Sequence, residues 1–140
     1  DLADAPFADR QFNVILSIFS PSNYREFARL LADSGLVMKV IPGPEYLREI
    51  RVGLYGSTDK EDYSNEDVVR LFEEQYRQVR IVNLRYSQPI KPEHLPALLD
   101  MTPLTWSASS EQKERLVKKG IPEVTIDVSL LIGQVPTLLV

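Results

Sequence analysis

The residues best placed to do chemistry fall in three short segments. Ser20-Pro21-Ser22-Asn23 follows one apolar run, Pro42-Gly43-Pro44 follows a second, and Met101-Thr102-Pro103-Leu104-Thr105-Trp106 holds the only tryptophan. Open α/β sheets bind ligands in the crevice beyond the carboxyl ends of their strands, so the first two segments lie where a ligand would be met. Each also has a plainer reading, because proline and glycine favour tight strand-to-helix turns. Trp106, in a proline-punctuated turn, suits either a packed core or lid residue or a stacking platform for a base.

Other chemistries find no support. The chain has no Walker loop, G-x-S-x-G, H-E-x-x-H or G-x-G-x-x-G pattern. It has no cysteine, which excludes disulfides and thiolate metal sites and is consistent with a cytoplasmic protein. The single histidine, His94, cannot form a histidine cluster, and at a helix start it reads as exposed or capping, so no metal site is expected. The acidic run DKEDYSNED lacks the sixth-position glycine and the closing glutamate of a calcium loop, and reads as a solvated loop. The charged helix SSEQKERLVKKG could touch RNA, although a charged helix face is usually only the solvent side.

The 140 residues include 16 basic and 20 acidic ones, for a net charge of −4, with 44% hydrophobic residues. That balance describes an ordinary globular domain, leaves no membrane span, and is too acidic for the main electrostatic grip on nucleic acid. The chain opens at Asp1 without an initiator methionine or signal pattern and closes on VPTLLV, so it reads as a piece of a longer protein.

The elements that must position these segments follow from periodicity. Phe12 to Phe19 and Leu36 to Ile41 are short apolar runs suited to strands buried on both faces of a parallel sheet. Between them Tyr24, Phe27, Ala28, Leu30 and Leu31 recur at helical spacing, with Ser22 or Asn23 as N-cap and Gly35 as the stop. Tyr46, Leu47, Ile50 and Leu54 continue as a second helix, completing a strand-helix-strand-helix alternation. Residues 56–66 read as a loop, with Ser64 and Asp67 forming a weak capping box for a helix that carries Val68, Val69, Phe72 and Tyr76. Val79 to Tyr86 and Val124 to Ile132 alternate apolar and polar residues, which predicts strands with one wetter face, at an edge or antiparallel. A helical piece lies around Leu95 to Leu99, and a charged helix runs from Ser110 to Lys119 and stops at Gly120.

In this order the segments resemble a known family. DLADAPFADRQFNVILSIF resembles the class I methyltransferases that use S-adenosylmethionine, with an acidic residue, a Leu-Pro-Phe-like turn and an apolar strand in succession. IFSPSNYREFARLL, VMKVIPGPEYLREIR and MTPLTW together resemble, more narrowly, the bacterial 23S ribosomal RNA guanine-N1 methyltransferases, over essentially all 140 residues. The resemblance implies the C-terminal portion of a Rossmann-like methyltransferase sheet: its last four strands, the final one antiparallel and inserted between its neighbours. The family's glycine-rich cofactor loop and N-terminal zinc module would precede residue 1, so zinc is expected only there.

Residue by residue, the resemblance makes Asp1 the carboxylate that accepts from the cofactor's adenine amino group, with Leu2 beside the ring. Ser17, Ile18 and Phe19 would lie next to the cofactor's methionine portion and methyl group. Ser20, Pro21, Asn23, Pro42, Gly43, Pro44, Tyr46 and Trp106 would face the target base. Ala5 replaces the usual leucine, Asn13 stands where aspartate is common, and Tyr46 stands where relatives can have histidine, so no general base is identified. The implied partner is large-subunit ribosomal RNA, with no membrane contact. An incomplete sheet could also pair with a second copy of the chain. The alternatives are a methyltransferase of the same superfamily acting on a small molecule, and a non-catalytic α/β interaction domain; the 140-residue piece alone is expected to be inactive.

Overall fold

The computed structural model describes residues 3–56 and 64–136. The elements run β1 (Phe12–Ile18), α1 (Tyr24–Leu30), β2 (Leu31–Pro42), α2 (Arg48–Tyr55), α3 (Glu66–Gln75), β3 (Tyr76–Pro89), α4 (Leu95–Met101), α5 (Ser110–Lys119) and β4 (Glu123–Pro136), with single 3-10 turns at Pro92–His94 and Pro103–Thr105. The sheet has four strands in the order β1-β2-β4-β3. β1 and β2 pair in parallel, in steady register from Val14 opposite Leu36 to Ile18 opposite Val40. β4 runs antiparallel to β2, from Leu36 opposite Gln134 to Pro42 opposite Val128. The last strand in sequence is thus inserted between its neighbours, as the resemblance implies, and the expected fold class is borne out.

The chain forms two compact units. Among the described residues the first comprises 3–43, 64–84 and 128–136, and the second 44–56 and 85–127. The first unit's core is aromatic: Phe27, Leu31, Val37, Ile41, Phe72, Tyr76 and Leu131 cluster, with Tyr24 against them. Phe72 and Tyr76 rings lie 4.8 Å apart, and Tyr24 meets both at 6.1 Å near edge-to-face. Gly133 on β4 is required beneath them, since an added Cβ would come within 2.5 Å of the Tyr76 ring. The second unit's core is aliphatic, built from Leu47, Ile50, Leu54, Leu95, Leu99, Leu116, Ile121 and Val124. Here α5 is the element read most closely, with a Ser109–Gln112 capping box and Gly120 at positive φ.

Several expectations are corrected. Of the two expected cap residues Asn23 caps α1, but the helix ends at Leu30 and Gly35 lies inside β2, because the chain turns straight from helix into strand. The Ser64–Asp67 capping box does not form: Asn65 holds the cap position of α3, and the Ser64 hydroxyl accepts from the Glu66 N–H. β1 and β2 are covered on one face only. Ser17, Val37, Lys39 and Ile41 are buried, while Val14, Leu16 and Ile18 on the other face of β1 are exposed, Leu16 by 63%. On β4 the phase is reversed within the first unit: Ser129, Leu131 and Gly133 are buried, whereas Val128, Leu130 and Ile132 are half-buried. Burial follows the layer that packs on a face, and α3 packs on the face that holds the serine and the glycine. Beyond Val79, β3 is exposed along its length, as an edge strand.

Candidate functional site

In the first unit, β1 ends in a turn built from hydroxyls around one cation. Lys39 stands opposite Ser17 in the parallel register, one step from the end of β1. Its side chain is buried, with only 6% of the residue exposed. The Lys39 ammonium donates to the Ser20 carbonyl at 2.9 Å, to Ser22 Oγ at 2.8 Å and, at the limit of 3.5 Å, to Ser17 Oγ. Ser17 Oγ in turn lies 3.1 Å from Ser20 Oγ and 3.3 Å from Ser22 Oγ. Among the described residues no carboxylate pairs with this ammonium, and burial pushes its pKa below the ordinary lysine value. A cation held only by neutral oxygens in a sheet interior is uncommon, because unpaired buried charge is costly. Burial also raises the Tyr24 phenol, an effect that the hydrogen bond from Ser22 partly offsets.

The residues expected near a ligand are therefore disposed unequally. Ser17 is buried and its hydroxyl turns into this cluster, so it presents no surface of its own to a ligand. Ile18 and Phe19 are half exposed, and Phe19 adopts a left-handed backbone at φ 49, with its N–H donated to the Val40 carbonyl at 3.1 Å. Strained positions of this kind persist where neighbouring contacts hold them, and they gather at binding sites. Ser20 and Pro21 are exposed. Asn23 spends its side-chain oxygen capping α1, accepting from the Glu26 N–H at 3.1 Å. Pro42 ends β2, and its carbonyl accepts from the Asn65 amide at 3.3 Å, while Gly43 follows it. Asp1 and Leu2 lie outside the described residues.

The segment leading away from those two positions is tied to α1. Arg29 donates to the carbonyls of Phe7 and Ala5 at 2.9 and 3.1 Å and to Asp9 at 2.7 Å, and it also pairs with Glu26. Glu26 accepts from the Ala5 N–H at 3.0 Å. The Arg29 bond and then that backbone bond hold the Glu26 carboxyl down at about 2.

In the second unit, Pro44 and Tyr46 sit in a turn pinned at several points. The Arg51 guanidinium donates to the Pro44 carbonyl, and the Glu45 N–H donates to Asp127 at 2.9 Å. Leu47, buried at φ 52, donates its N–H to the Thr125 carbonyl at 2.9 Å, and Glu49 accepts from both the N–H and the hydroxyl of Thr125. Burial would raise the Glu49 carboxyl, but these two bonds carry it below the ordinary value. Tyr46 is half-buried against the aliphatic core, and burial, with Tyr86 nearby, raises its phenol. Trp106 is not a core residue: 78% of it is exposed. Its turn is nevertheless rigid, since the buried Thr105 hydroxyl donates to the Leu99 carbonyl at 2.6 Å and Tyr55 donates to the Leu104 carbonyl at 2.8 Å. An exposed indole on a pinned turn is a surface that can stack.

The sequence reading missed Lys39. Its signal was present as the one charge inside the apolar run VMKVI, where a cation must either be solvated at an edge or be held by internal acceptors. Among the described residues no group of three or more His, Cys, Asp or Glu could hold a metal ion, and no helix is long and apolar enough to cross a membrane.

No family model matches the chain. It is 45% identical over 133 residues to a Bacillus subtilis protein named "Putative 23S rRNA (guanine-N(1)-)-methyltransferase YxjB"; the match takes in 95% of this chain and 47% of that protein. The chain thus spans about half the length of the curated relative it matches. Among solved structures, it superposes on a Bacillus halodurans protein titled a putative methyltransferase (BH2331) with a TM-score of 0.50 at 15% identity, covering 98% of this chain and 70% of that one. It superposes on MccD protein with a TM-score of 0.51 at 16% identity, covering 96% and 65%. At these identities the superpositions bear on the fold alone, and they support the Rossmann-like methyltransferase architecture. The resemblance read from the motifs is borne out by the sequence match.

Proposed function

We propose, on the premise of a class I methyltransferase fold and this close sequence similarity, that the chain is the C-terminal portion of a catalytic domain. The whole protein transfers a methyl group from S-adenosylmethionine to N1 of a guanine in 23S ribosomal RNA. The observation that carries this reading is the 45% identity to the Bacillus subtilis protein, which extends over 95% of the chain.

The residues present fit one side of the cofactor's site. Half-exposed Ile18 and Phe19 offer apolar surface at the carboxyl end of β1, where a ligand of this fold lies. Asp1 and Leu2 are proposed to hold its adenine, and no glycine-rich G-x-G-x-x-G loop is found in these 140 residues. When bound, the cofactor supplies an electrophilic methyl group on a sulfonium. The chain's own part is to hold the nucleophile in line and to exclude water. Ser20, Pro21, Asn23, Pro42, Gly43 and Pro44 are assigned to the target base by their places in the two strand-end turns. The base must be unpaired or extruded, and its stacking is proposed on one of three aromatic residues, Phe19, Tyr46 or Trp106.

A methyl on guanine N1 blocks pairing and stops a polymerase, so primer extension across 23S ribosomal RNA tests the reading in cells with and without the parent gene. The expected result is a stop that vanishes on deletion and returns with the full-length gene; an unchanged pattern overturns the RNA assignment. Trp106→Ala in the full-length protein should weaken RNA turnover by about tenfold, in line with the loss of one base stack, and leave cofactor affinity unchanged.

A further inference from the structure

Three guanidinium groups gather on the turn that carries Pro44, and the carboxylates beside them leave them under-satisfied. Arg48 donates from Nη1 to Glu45 Oε2 at 3.3 Å, and Arg85 approaches the same oxygen only to 4.0 Å. Well-formed bonds between a guanidinium and a carboxylate close to about 2.7–2.9 Å, so this one oxygen holds two cations loosely. Arg51 donates to the Pro44 carbonyl, but its buried Nε meets no acceptor, and among the described residues no carboxylate pairs with it. The neighbouring carboxylates are engaged elsewhere: Asp127 accepts from the Glu45 N–H, and Glu49 from the N–H and hydroxyl of Thr125. Arg29 shows what a satisfied guanidinium looks like in this chain, with Asp9 at 2.7 Å, Glu26 and two backbone carbonyls as its acceptors.

We infer that Arg48, Arg51 and Arg85 form a binding site for a backbone phosphate of the RNA, next to the target nucleotide. The inference rests on the methyltransferase reading and deepens it, by naming residues that hold the strand. A phosphodiester offers two non-bridging oxygens that share one negative charge, a match for the planar donors of guanidinium groups. A chain of net charge −4 cannot hold RNA through its overall field, so its phosphate contacts must be local clusters of this kind. The place of the cluster ties it to the target nucleotide. Arg51 bonds the Pro44 carbonyl, and Pro44 and Tyr46, which flank Glu45, are two of the residues proposed to meet the base. Such a contact sets where the strand lies and carries no sequence information itself. Glu45 stands where the phosphate would go, against two of the three guanidinium groups, so its carboxylate competes with the RNA. That competition gives the site a sign that an ordinary structural ion pair lacks.

The test measures binding of the full-length protein to an RNA fragment around the guanine that primer extension marks, by fluorescence anisotropy over a series of salt concentrations. Arg48→Gln and Arg85→Gln alter side chains that are 61% and 60% exposed, so both cores stay intact. Each should weaken binding by about tenfold and lower the slope of log affinity against log salt by about one. Glu45→Gln keeps the side chain's shape, removes the competing charge and should tighten binding by roughly threefold. Methylphosphonates in place of the phosphates flanking the guanine remove the charge from the RNA side. They should weaken the parent protein by about tenfold and Arg85→Gln by much less, as expected when the two changes break the same contact. Arginines that only brace the turn through Glu45 predict the opposite: Glu45→Gln weakens binding or leaves it unchanged, the salt slopes stay at the parent value, and methylphosphonates cost parent and variant alike. Any of these three results overturns the inference, and the methyltransferase reading stands as long as the parent protein methylates guanine in the same RNA. A full-length protein that methylates no guanine in 23S ribosomal RNA overturns that reading and the inference with it.

Discussion

The two faces of the β1–β2 pair have opposite surroundings, and their side chains do not match those surroundings. The covered face holds Ile15, Ser17, Val37, Lys39 and Ile41, and includes a hydroxyl and an ammonium. The bare face of β1 is Val14, Leu16 and Ile18, all apolar and each about half or more exposed. A face that stays in water has no need of three large aliphatic residues, whereas a polar pair under a helical layer must satisfy its own hydrogen bonds. Exposure here reflects which layer packs on the sheet, and the residues' own preferences point to a bare face made to be covered. The covered face, by contrast, ends in a hydrogen-bonded cluster of Lys39 with Ser17, Ser20 and Ser22 at the strand end.

The sharpest way to break the comparison is through the layer that covers the first face. Phe72 is completely buried on α3, and Phe72→Ala should cost about 3–5 kcal/mol of unfolding free energy, seen as a lower urea midpoint. A smaller change comes from adding volume. Gly133→Ala sets a Cβ 2.5 Å from the Tyr76 ring and 2.9 Å from Phe72, and should cost about 1–3 kcal/mol. If either substitution is neutral, α3 is not what distinguishes the two faces.

How much of this was legible in the sequence depended on whether the deciding contact was local. α5 was readable to its ends, since Ser109, Gln112 and Gly120 act on neighbouring backbone. The parallel pair followed from apolar runs, whereas the insertion of β4 between β2 and β3 followed only from the family resemblance, since alternation alone left an edge or an antiparallel strand open. Gly35 misled because a helix stop and a tight place inside a strand look alike in one dimension; here an added Cβ would meet the Leu31 side chain at 2.7 Å. The phase of β4 misled because Leu130 and Leu131 leave both alternations plausible, and only the distant rings of Phe72 and Tyr76 decide between them. At the candidate site, Ser20 and Pro42 to Pro44 were visible as turns at strand ends. Lys39, whose ammonium bonds the Ser20 carbonyl, sits 19 residues away and was hidden in an apolar run.

The smallest effect in this chain belongs to the bare face. Leu16 is 63% exposed, and threonine suits a strand, so Leu16→Thr should change the stability of the 140-residue chain by no more than about 0.5 kcal/mol. Under the proposed reading the rest of the methyltransferase sheet and its helices cover this face in the longer protein. There the same substitution should cost about 2 kcal/mol or more, as for other buried leucines cut back in a core. Urea unfolding of the two proteins, each with and without the substitution, measures the difference directly. A second copy of the chain could cover the face instead; the substitution would then shift the monomer–dimer balance in sedimentation, and the 140-residue chain would lose stability at high protein concentration. Equal, small effects in both proteins would mean that β1 keeps its apolar face in water, and the contrast between the faces would no longer point to a missing layer.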